Sequence, residues 1–212
     1  MKKYVQEATD ENIWTSIKNN TFGRNKDIKD FIDGLELIDE SACISLDAKW
    51  GDGKTFFVRQ IEEVLKYVLA NQRADEENPI EKLPSYEYLK DNEMMAKIDL
   101  KHSYLPIYYN AWMYDNHSDP LMSLLLVMTK TCRGVYDAKI DSEKISKKLV
   151  EALATLPISL GEFKANPFTA IEKLQGKSMD ILSRAQKLVI FIDELDRCRP
   201  SFAIEMLERI KH

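Results

Sequence analysis

The sequence predicts an α/β fold in which a parallel β-sheet lies between layers of helices. Short apolar, β-prone runs alternate with longer segments whose apolar residues recur at helical spacing, a pattern typical of parallel sheets. Two of these runs lead into polar segments. A glycine-rich loop follows the first run, and Asp193 and Glu194 follow the last. Polar residues at the ends of such strands are the usual ligand-binding positions of an α/β sheet.

The composition is that of an ordinary globular chain, with 212 residues, 44% hydrophobic and 31% charged. A formal net charge of −5 argues against general attraction to nucleic acid or an anionic membrane. The cysteines, Cys43, Cys132 and Cys198, have no CxxC or zinc spacing, and no signal-like apolar stretch follows the N-terminus. A cytoplasmic location with reduced thiols is therefore expected. The longest apolar run, 120–128, is too short for a transmembrane segment.

The elements are predicted in order along the chain. Residues 1–40 form an N-terminal segment with an amphipathic helix at 25–38, and residues 41–212 form the core domain. Residues 71–103, which are polar and contain two prolines, are interpreted as a surface insertion with loose or short helical structure. Strands are predicted at 42–47, 105–112 and 188–192, and helices from Lys54, from Pro120, at 141–155, at 167–185 and after Pro200, the last with Ala203, Met206, Leu207 and Ile210 on one face.

The stretch "DAKWGDGKT", residues 47–55, has the composition of a phosphate-binding loop. Backbone N–H groups at the start of a helix bind anions, and glycines let the backbone approach the phosphates closely. In such loops the lysine, here Lys54, contacts the β and γ phosphates, and the following hydroxyl, here Thr55, binds Mg²⁺. Ala48 replaces the usual first glycine, which is tolerated unless that position needs a positive φ. The predicted nucleotide contacts are Trp50, Gly51, Asp52, Gly53, Lys54, Thr55 and Phe56.

The run "LVIFIDE" places two carboxylates at the end of a strand that is buried on both faces. Asp193 is predicted to hold Mg²⁺ through water, and Glu194 to act as the general base for the attacking water. The alternatives are a solvated strand end and a turn that contains the lysine incidentally. The phosphate loop and the acidic strand end occur in the order expected of a nucleotide site, which favours that interpretation over the alternatives.

For the residues that flank the strand ends, the sequence allows more than one role. Asp196 and Arg197 form either a local ion pair or a contact with nucleotide. Asn110 could orient a water molecule, whereas Trp112 is expected in the core. Cys198 is expected to be a small buried apolar residue rather than a reactive thiol.

Three segments, "KWGDGKT", "YYNAWMYD" and "IDELDRCRP", together resemble the KAP family of P-loop NTPases, and the resemblance runs from about Phe22 onward. It implies binding and hydrolysis of ATP with Mg²⁺, with Lys54 and Glu194 as catalytic residues. "TFGR", 21–24, resembles a short motif that lies near the adenine in related ATPases, which adds Arg24 to the nucleotide contacts. Because no membrane span separates the loop from the acidic strand, the chain is similar to the soluble bacterial branch, which often acts in defence against phage.

A glutamate beside the Mg²⁺ aspartate is typical of the ASCE class of P-loop NTPases. In that class another strand lies between the phosphate-loop strand and the acidic strand, and it follows the acidic strand in sequence. We therefore expect these residues to be the N-terminal portion of a larger NTPase, with a sheet that is incomplete at its C-terminus.

The leading functional hypothesis is an Mg²⁺-dependent ATPase whose partners are ATP and either further copies of itself or an effector protein. The alternative is a nucleotide-operated switch or scaffold with little turnover that gates a partner. Glu194 favours turnover, because a pure switch could dispense with a general base. A small-molecule kinase would need an arginine-rich lid, for which the sequence has no candidate segment.

Overall fold

The computed structural model describes residues 7–49, 51–72, 74, 79–117 and 187–211, together with residues 119, 120, 123, 124, 127, 128 and 131. The chain divides into two compact units. The first comprises Met1–Pro106 and Gln186–Val189, and the second comprises Ile107–Ala185 and Ile190–His212. Within the described ranges, no helix combines the length and the apolar character needed to cross a membrane.

The first unit is mainly helical. Helix α1 spans Asp10–Lys18, α2 spans Asn25–Glu36, α3 spans Lys54–Gln72 and α4 spans Tyr86–Leu89. Short 3-10 turns lie at Thr21–Gly23, Ile80–Lys82 and Met95–Lys97. The helices predicted at 25–38 and from Lys54 are therefore confirmed as α2 and α3.

The helices of this unit bury the apolar faces that their sequence periodicity predicts. One stripe of each helix is removed from water, which is the main favourable contribution to packing. The fully buried apolar side chains of the three longer helices are Ile13 and Ile17 of α1, Ile28 and Ile32 of α2, and Ile61, Val64, Leu65 and Leu69 of α3.

A cluster of charged groups joins α1 to α3. Trp14 Nε1 donates a 2.6 Å hydrogen bond to Glu63, whose other carboxylate oxygen lies 2.8 Å from Lys66 Nζ. Arg59 of α3 reaches Asp10 of α1 at 2.8 Å. Because Glu63 is buried, these partners offset part of the cost of removing its carboxylate from water. The cluster therefore fixes how these two helices pack.

The region 71–103 has the short helices that the sequence predicts, but it is not confined to the surface. Leu89 of α4 is fully buried and Met94 nearly so. The rings of Trp14 and Tyr88 lie 5.5 Å apart. The surface placement was wrong because these few apolar residues, although surrounded by polar ones, complete the core over α1 and α3.

The sheet of the described residues has two parallel strands, β1 (Tyr104–Asn110) and β2 (Lys187–Asp193). The Lys187 N–H donates to Ser103 O at 3.1 Å, which sets the start of the pairing. The predictions of these two strands are confirmed. β1 ends before 112 because the chain turns into a 3-10 helix at Ala111–Tyr114.

The predicted strand at 42–47 is wrong. These residues have no regular secondary structure and form no ladder with any described residue. Ile44 is 55% exposed and Leu46 is 41% exposed. Their alternating apolar pattern gives β propensity, but a strand also needs a hydrogen-bonded neighbour and a buried face, and here the segment has neither.

Among the described residues of the second unit, two further segments are α-helical. Pro120 has helical backbone, and the Ser123 N–H donates to Asp119 O at 3.4 Å, so the predicted helix start is confirmed. After a 3-10 turn at Leu195–Arg197, helix α5 spans Pro200–Lys211 as predicted. The helices predicted at 141–155 and 167–185 lie outside the described residues.

The buried face of α5 differs from the predicted one. Phe202 and Met206, four residues apart, are its buried apolar residues, whereas Leu207 is exposed at 53%. The prediction grouped Met206 correctly but omitted Phe202, because the stripe was set from Ala203 rather than one residue earlier.

Replacement of Leu89 by alanine should destabilise the protein by about 2–5 kcal/mol, because it leaves a cavity at a fully buried position. Leu37→Ala, at an exposed leucine in the same unit, should change the free energy of unfolding by about 0.5 kcal/mol or less. Equilibrium urea unfolding measures both. Equal stabilities of the two variants would show that the 71–103 region does not contribute to the core.

Candidate functional site

The loop before α3 has a backbone that requires glycine at two positions. Gly51 has φ +88° and Gly53 has φ +82°, a region that other residues rarely adopt. Ala48 is not among the described residues with positive φ, which explains how alanine replaces the usual glycine there. The loop closes through Asp52 N–H to Lys49 O at 3.1 Å and Lys49 N–H to Asp52 Oδ2 at 3.0 Å.

The loop and the first turn of α3 bring several hydrogen-bond donors together, and one of them, the Lys54 ammonium, is positively charged. The Lys54 ammonium donates to Ala48 O at 2.5 Å and lies 3.4 Å from Lys49 O, so it is folded back over the loop. The first N–H groups of a helix have no intrahelical acceptor, and α3 begins with Lys54, Thr55 and Phe56. Together with the helix dipole, these donors suit an anion such as a phosphate.

Arg24 holds the other side of this loop through the backbone. Its guanidinium donates to Asp52 O at 2.8 Å and to Gly53 O at 3.3 Å. A Cβ added at Gly53 would lie 3.3 Å from both terminal nitrogens of Arg24. Arg24 thus lies at the predicted nucleotide loop but contacts its carbonyls, while Phe22 of the same motif is almost fully exposed at φ +60°. Trp50 lies outside the described residues.

In the second unit, the carboxylate at the end of β2 is held by two donors. Tyr108 of β1 donates its hydroxyl to Asp193 Oδ2 at 2.9 Å, and the Glu194 N–H donates to Asp193 Oδ1 at 2.9 Å. These bonds fix the orientation of the carboxylate. Sequence reasoning missed Tyr108, although its position within the strand predicted to flank β2 was a usable signal.

Glu194 has an unusual backbone conformation and is paired with a charged side chain. Its φ is +60°, and its Oε2 forms an ion pair with Arg197 Nε. Burial raises the pKa of Glu194 above its ordinary value, while the positive charge of Arg197 opposes that rise. The ion pair considered between Arg197 and Asp196 was wrong, because the 3-10 turn directs Arg197 to Glu194 instead.

Arg197 also lies against an aromatic ring. Its guanidinium carbon is 5.7 Å from the centre of the Trp112 ring, within the range of a cation–π interaction. Trp112 is 55% exposed, so the expectation that it belongs to the core is wrong. The tryptophan follows a strand end and lies on a surface turn, where its ring packs on a cation rather than on apolar side chains.

The remaining residues of these turns have structural partners. Asn110 Oδ1 accepts from the Met113 N–H at 3.3 Å and so caps the 3-10 turn after β1. Cys198 is buried as predicted, its Sγ donates to Glu194 O at 3.5 Å, and burial raises the pKa of its thiol. The Arg199 N–H donates to Asp115 Oδ1 at 3.0 Å.

The profile of the KAP family P-loop domain matches residues 24–212. The match includes the glycine loop, the segment after β1 and the acidic end of β2. The chain belongs to the KAP family of P-loop NTPases. No curated protein and no solved structure matches the chain significantly. The resemblance of the three sequence segments to the KAP family is therefore confirmed, and a P-loop domain of this family is a nucleotide-binding domain.

Each unit of this KAP domain has an oxygen donor of the kind that Mg²⁺ takes in nucleotide sites. Across the described ranges, no group of three or more histidine, cysteine, aspartate or glutamate side chains could hold a metal by itself. Mg²⁺ in nucleotide sites takes one or two carboxylates and completes its shell with phosphate oxygens and water. The carboxylate of Asp193 in the second unit and the hydroxyl of Thr55 in the first are, each by itself, oxygen donors of this type.

The loop geometry predicts that substitution weakens binding at Gly53 and is tolerated at Ala48. Gly53→Ala should weaken ATP binding by about tenfold or more, because alanine at this positive φ costs about 1–2 kcal/mol and its Cβ would press on Arg24. Ala48→Gly should change the affinity by less than about tenfold, roughly 1.4 kcal/mol. Titration of a fluorescent ATP analogue measures both. A much larger gain in affinity for Ala48→Gly would mean that the loop is strained at Ala48.

Proposed function

We propose that this chain is the Mg²⁺-dependent ATP-binding and ATP-hydrolysing domain of a KAP-type NTPase. The observation that carries the proposal is the backbone of the phosphate loop. Gly51 and Gly53 both have positive φ, and Lys54 follows them at the start of a helix of 19 residues. Such a loop presents N–H donors and an ammonium group to one anion, which is the requirement for a triphosphate.

Binding of the nucleotide is proposed for the loop and the residues next to it. On binding, Lys54 would exchange its contacts with Ala48 O and Lys49 O for phosphate oxygens. Arg24 holds the carbonyls of Asp52 and Gly53 by hydrogen bonds and would add positive charge beside the anion. The full proposed set is Arg24, Trp50, Gly51, Asp52, Gly53, Lys54, Thr55 and Phe56.

The hydrolytic step is proposed for the acidic end of β2. Glu194 would accept a proton from the attacking water, a role that suits a carboxylate whose pKa burial has raised. Asp193, oriented by Tyr108, and Thr55 are the proposed Mg²⁺ ligands. The ion would supply charge neutralisation at the phosphates. Lys54 would add positive charge at the γ phosphate.

A finer classification of the domain is part of the same proposal. A glutamate directly after the proposed Mg²⁺ aspartate supports the ASCE class, and the presence of helices together with two parallel strands supports a sandwich. An N-terminal segment at 1–40 and a core at 41–212 are proposed from the sequence. A role in phage defence or signalling in the bacterial cytoplasm, through a homo-oligomer or an effector protein, rests on the family resemblance. The preference for ATP over GTP has the same basis.

One observation favours the second candidate, a switch with little turnover. Glu194 is paired with Arg197, and a carboxylate that is engaged by a guanidinium is a weaker base. If the pair persisted with ATP bound, the domain would hold nucleotide and gate a partner rather than turn over.

Two substitutions separate binding from chemistry. Lys54→Ala should weaken ATP binding, because it removes a charge-assisted contact with the phosphates. Glu194→Gln should leave binding nearly unchanged while steady-state phosphate release falls by about 10² or more, as expected for loss of a general base.

A matched control is Glu205→Gln, which removes a carboxylate paired with Arg209 on α5 and should not change turnover. If Glu194→Gln and Glu205→Gln release phosphate at the wild-type rate, the catalytic role of Glu194 is wrong. If the wild type binds ATP but releases no phosphate, the switch replaces the enzyme as the proposed function.

A further inference from the structure

The guanidinium of Arg197 lies between a carboxylate and an aromatic ring. Its Nε pairs with Glu194 Oε2, and its carbon lies 5.7 Å from the centre of the Trp112 ring. The side chain of Arg197 is 44% exposed, and the ring is about as exposed. An exposed arginine and an exposed tryptophan have many alternative conformations in water, so their stacking restricts both.

The carboxylate of Glu194 is not equally accessible at its two oxygens. Oε2 is fully buried, although the side chain as a whole is 18% exposed. The exposure therefore does not come from the oxygen that faces Arg197. Oε2 forms an ion pair with Arg197 but no hydrogen bond, so the arginine holds this oxygen through its charge. Of the two carboxylate oxygens, Oε1 is the one that is not paired with Arg197.

Short backbone turns fix these three residues. The Arg197 N–H donates to Glu194 O at 3.2 Å, and the Cys198 thiol donates to the same oxygen at 3.5 Å. These bonds hold Glu194 and Arg197 three residues apart on one turn. Trp112 lies on the 3-10 turn after β1, whose first turn is capped by the Asn110 side chain. The arrangement thus depends on two strand ends rather than on mobile side chains alone.

We propose that Arg197 and Trp112 are positioning residues for the general base. The Trp112 ring holds the guanidinium, and the guanidinium holds Oε2 of Glu194, so that Oε1 is directed at the attacking water. A base that is oriented by a third group is a recurring arrangement in enzymes that activate a nucleophile. Arginine suits this role because it stays charged and cannot take the proton itself. The inference rests on the proposed ATPase function.

The test compares kcat, KM and equilibrium ATP binding for variants of the ring and of the arginine in the full chain. Arg197→Ala and Trp112→Ala should each lower kcat about tenfold to a hundredfold, the usual effect of a misplaced catalytic group. The dissociation constant for ATP should stay within about twofold, because the interaction acts on the chemical step rather than on binding. Trp112→Phe keeps an aromatic face for the cation and should retain kcat within about threefold.

Matched controls lie next to each residue. Met113→Ala removes the exposed side chain that follows Trp112, and Arg199→Ala removes an arginine that pairs with Asp115 rather than with Glu194. Both should leave kcat unchanged. Arg197→Lys keeps the charge but loses the planar guanidinium, and it should lose activity like Arg197→Ala. This variant carries the test if Trp112→Ala fails to fold.

The outcomes separate this proposal from the proposed function. If Glu194→Gln turns over like the wild type, the catalytic role of Glu194 fails. If turnover depends on Glu194 but not on Arg197 or Trp112, the positioning role alone is overturned. It is also overturned if Trp112→Phe is as slow as Trp112→Ala, or if Arg197→Ala is faster than the wild type, which would mean that the pair restrains the base. Recovery of turnover on mixing Arg197→Ala with Lys54→Ala would overturn it too, since Arg197 would then act on a neighbouring copy.

Discussion

The start of α3 imposes the constraint on which the first unit depends. The chain must enter this helix through Gly51 and Gly53, each with a positive φ, and then continue as a regular helix. The first turn of α3 leaves N–H donors free for an anion, whereas later turns bury an apolar face and the charged cluster around Glu63. The loop is therefore held by Arg24 on one side and by a helix anchored in the core on the other.

The sequence predicted the parts of the fold that depend on local pattern. Helices α2 and α3 have apolar residues at helical spacing, and β2 is a continuous apolar run. The local pattern of apolar residues was therefore enough to predict these three elements. The segment 42–47 has a similar local pattern and is not a strand, because pairing with a neighbour is a property of the whole sheet. Leu89 shows the opposite case, since one leucine among polar residues gives little sign that it closes a core.

In the candidate site, likewise, some residues follow from local sequence patterns and others do not. Lys54, Asp193 and Glu194 are proposed from motifs, because the proposed chemistry restricts which residue types can serve. The side chains that contact this segment could not be predicted, since Tyr108 and Trp112 each lie 85 residues before their partners, Asp193 and Arg197. An aromatic residue after a strand is usually core, and only the position of Arg197 shows why this ring remains at the surface.

In the acidic segment after β2, the backbone conformation of Glu194 determines which side chains come into contact. With Glu194 at φ +60°, the chain reverses at once into the 3-10 turn at Leu195–Arg197, which returns Arg197 to the carboxylate. An extended backbone at Glu194 would carry Arg197 away from it and would leave the neighbouring acidic charges without this cation. A left-handed conformation at a non-glycine residue costs about 1–3 kcal/mol, and such strain is commonly found at functional sites. Here the strained residue is the carboxylate proposed to be the base, and the conformation that strains it also brings the arginine to orient it.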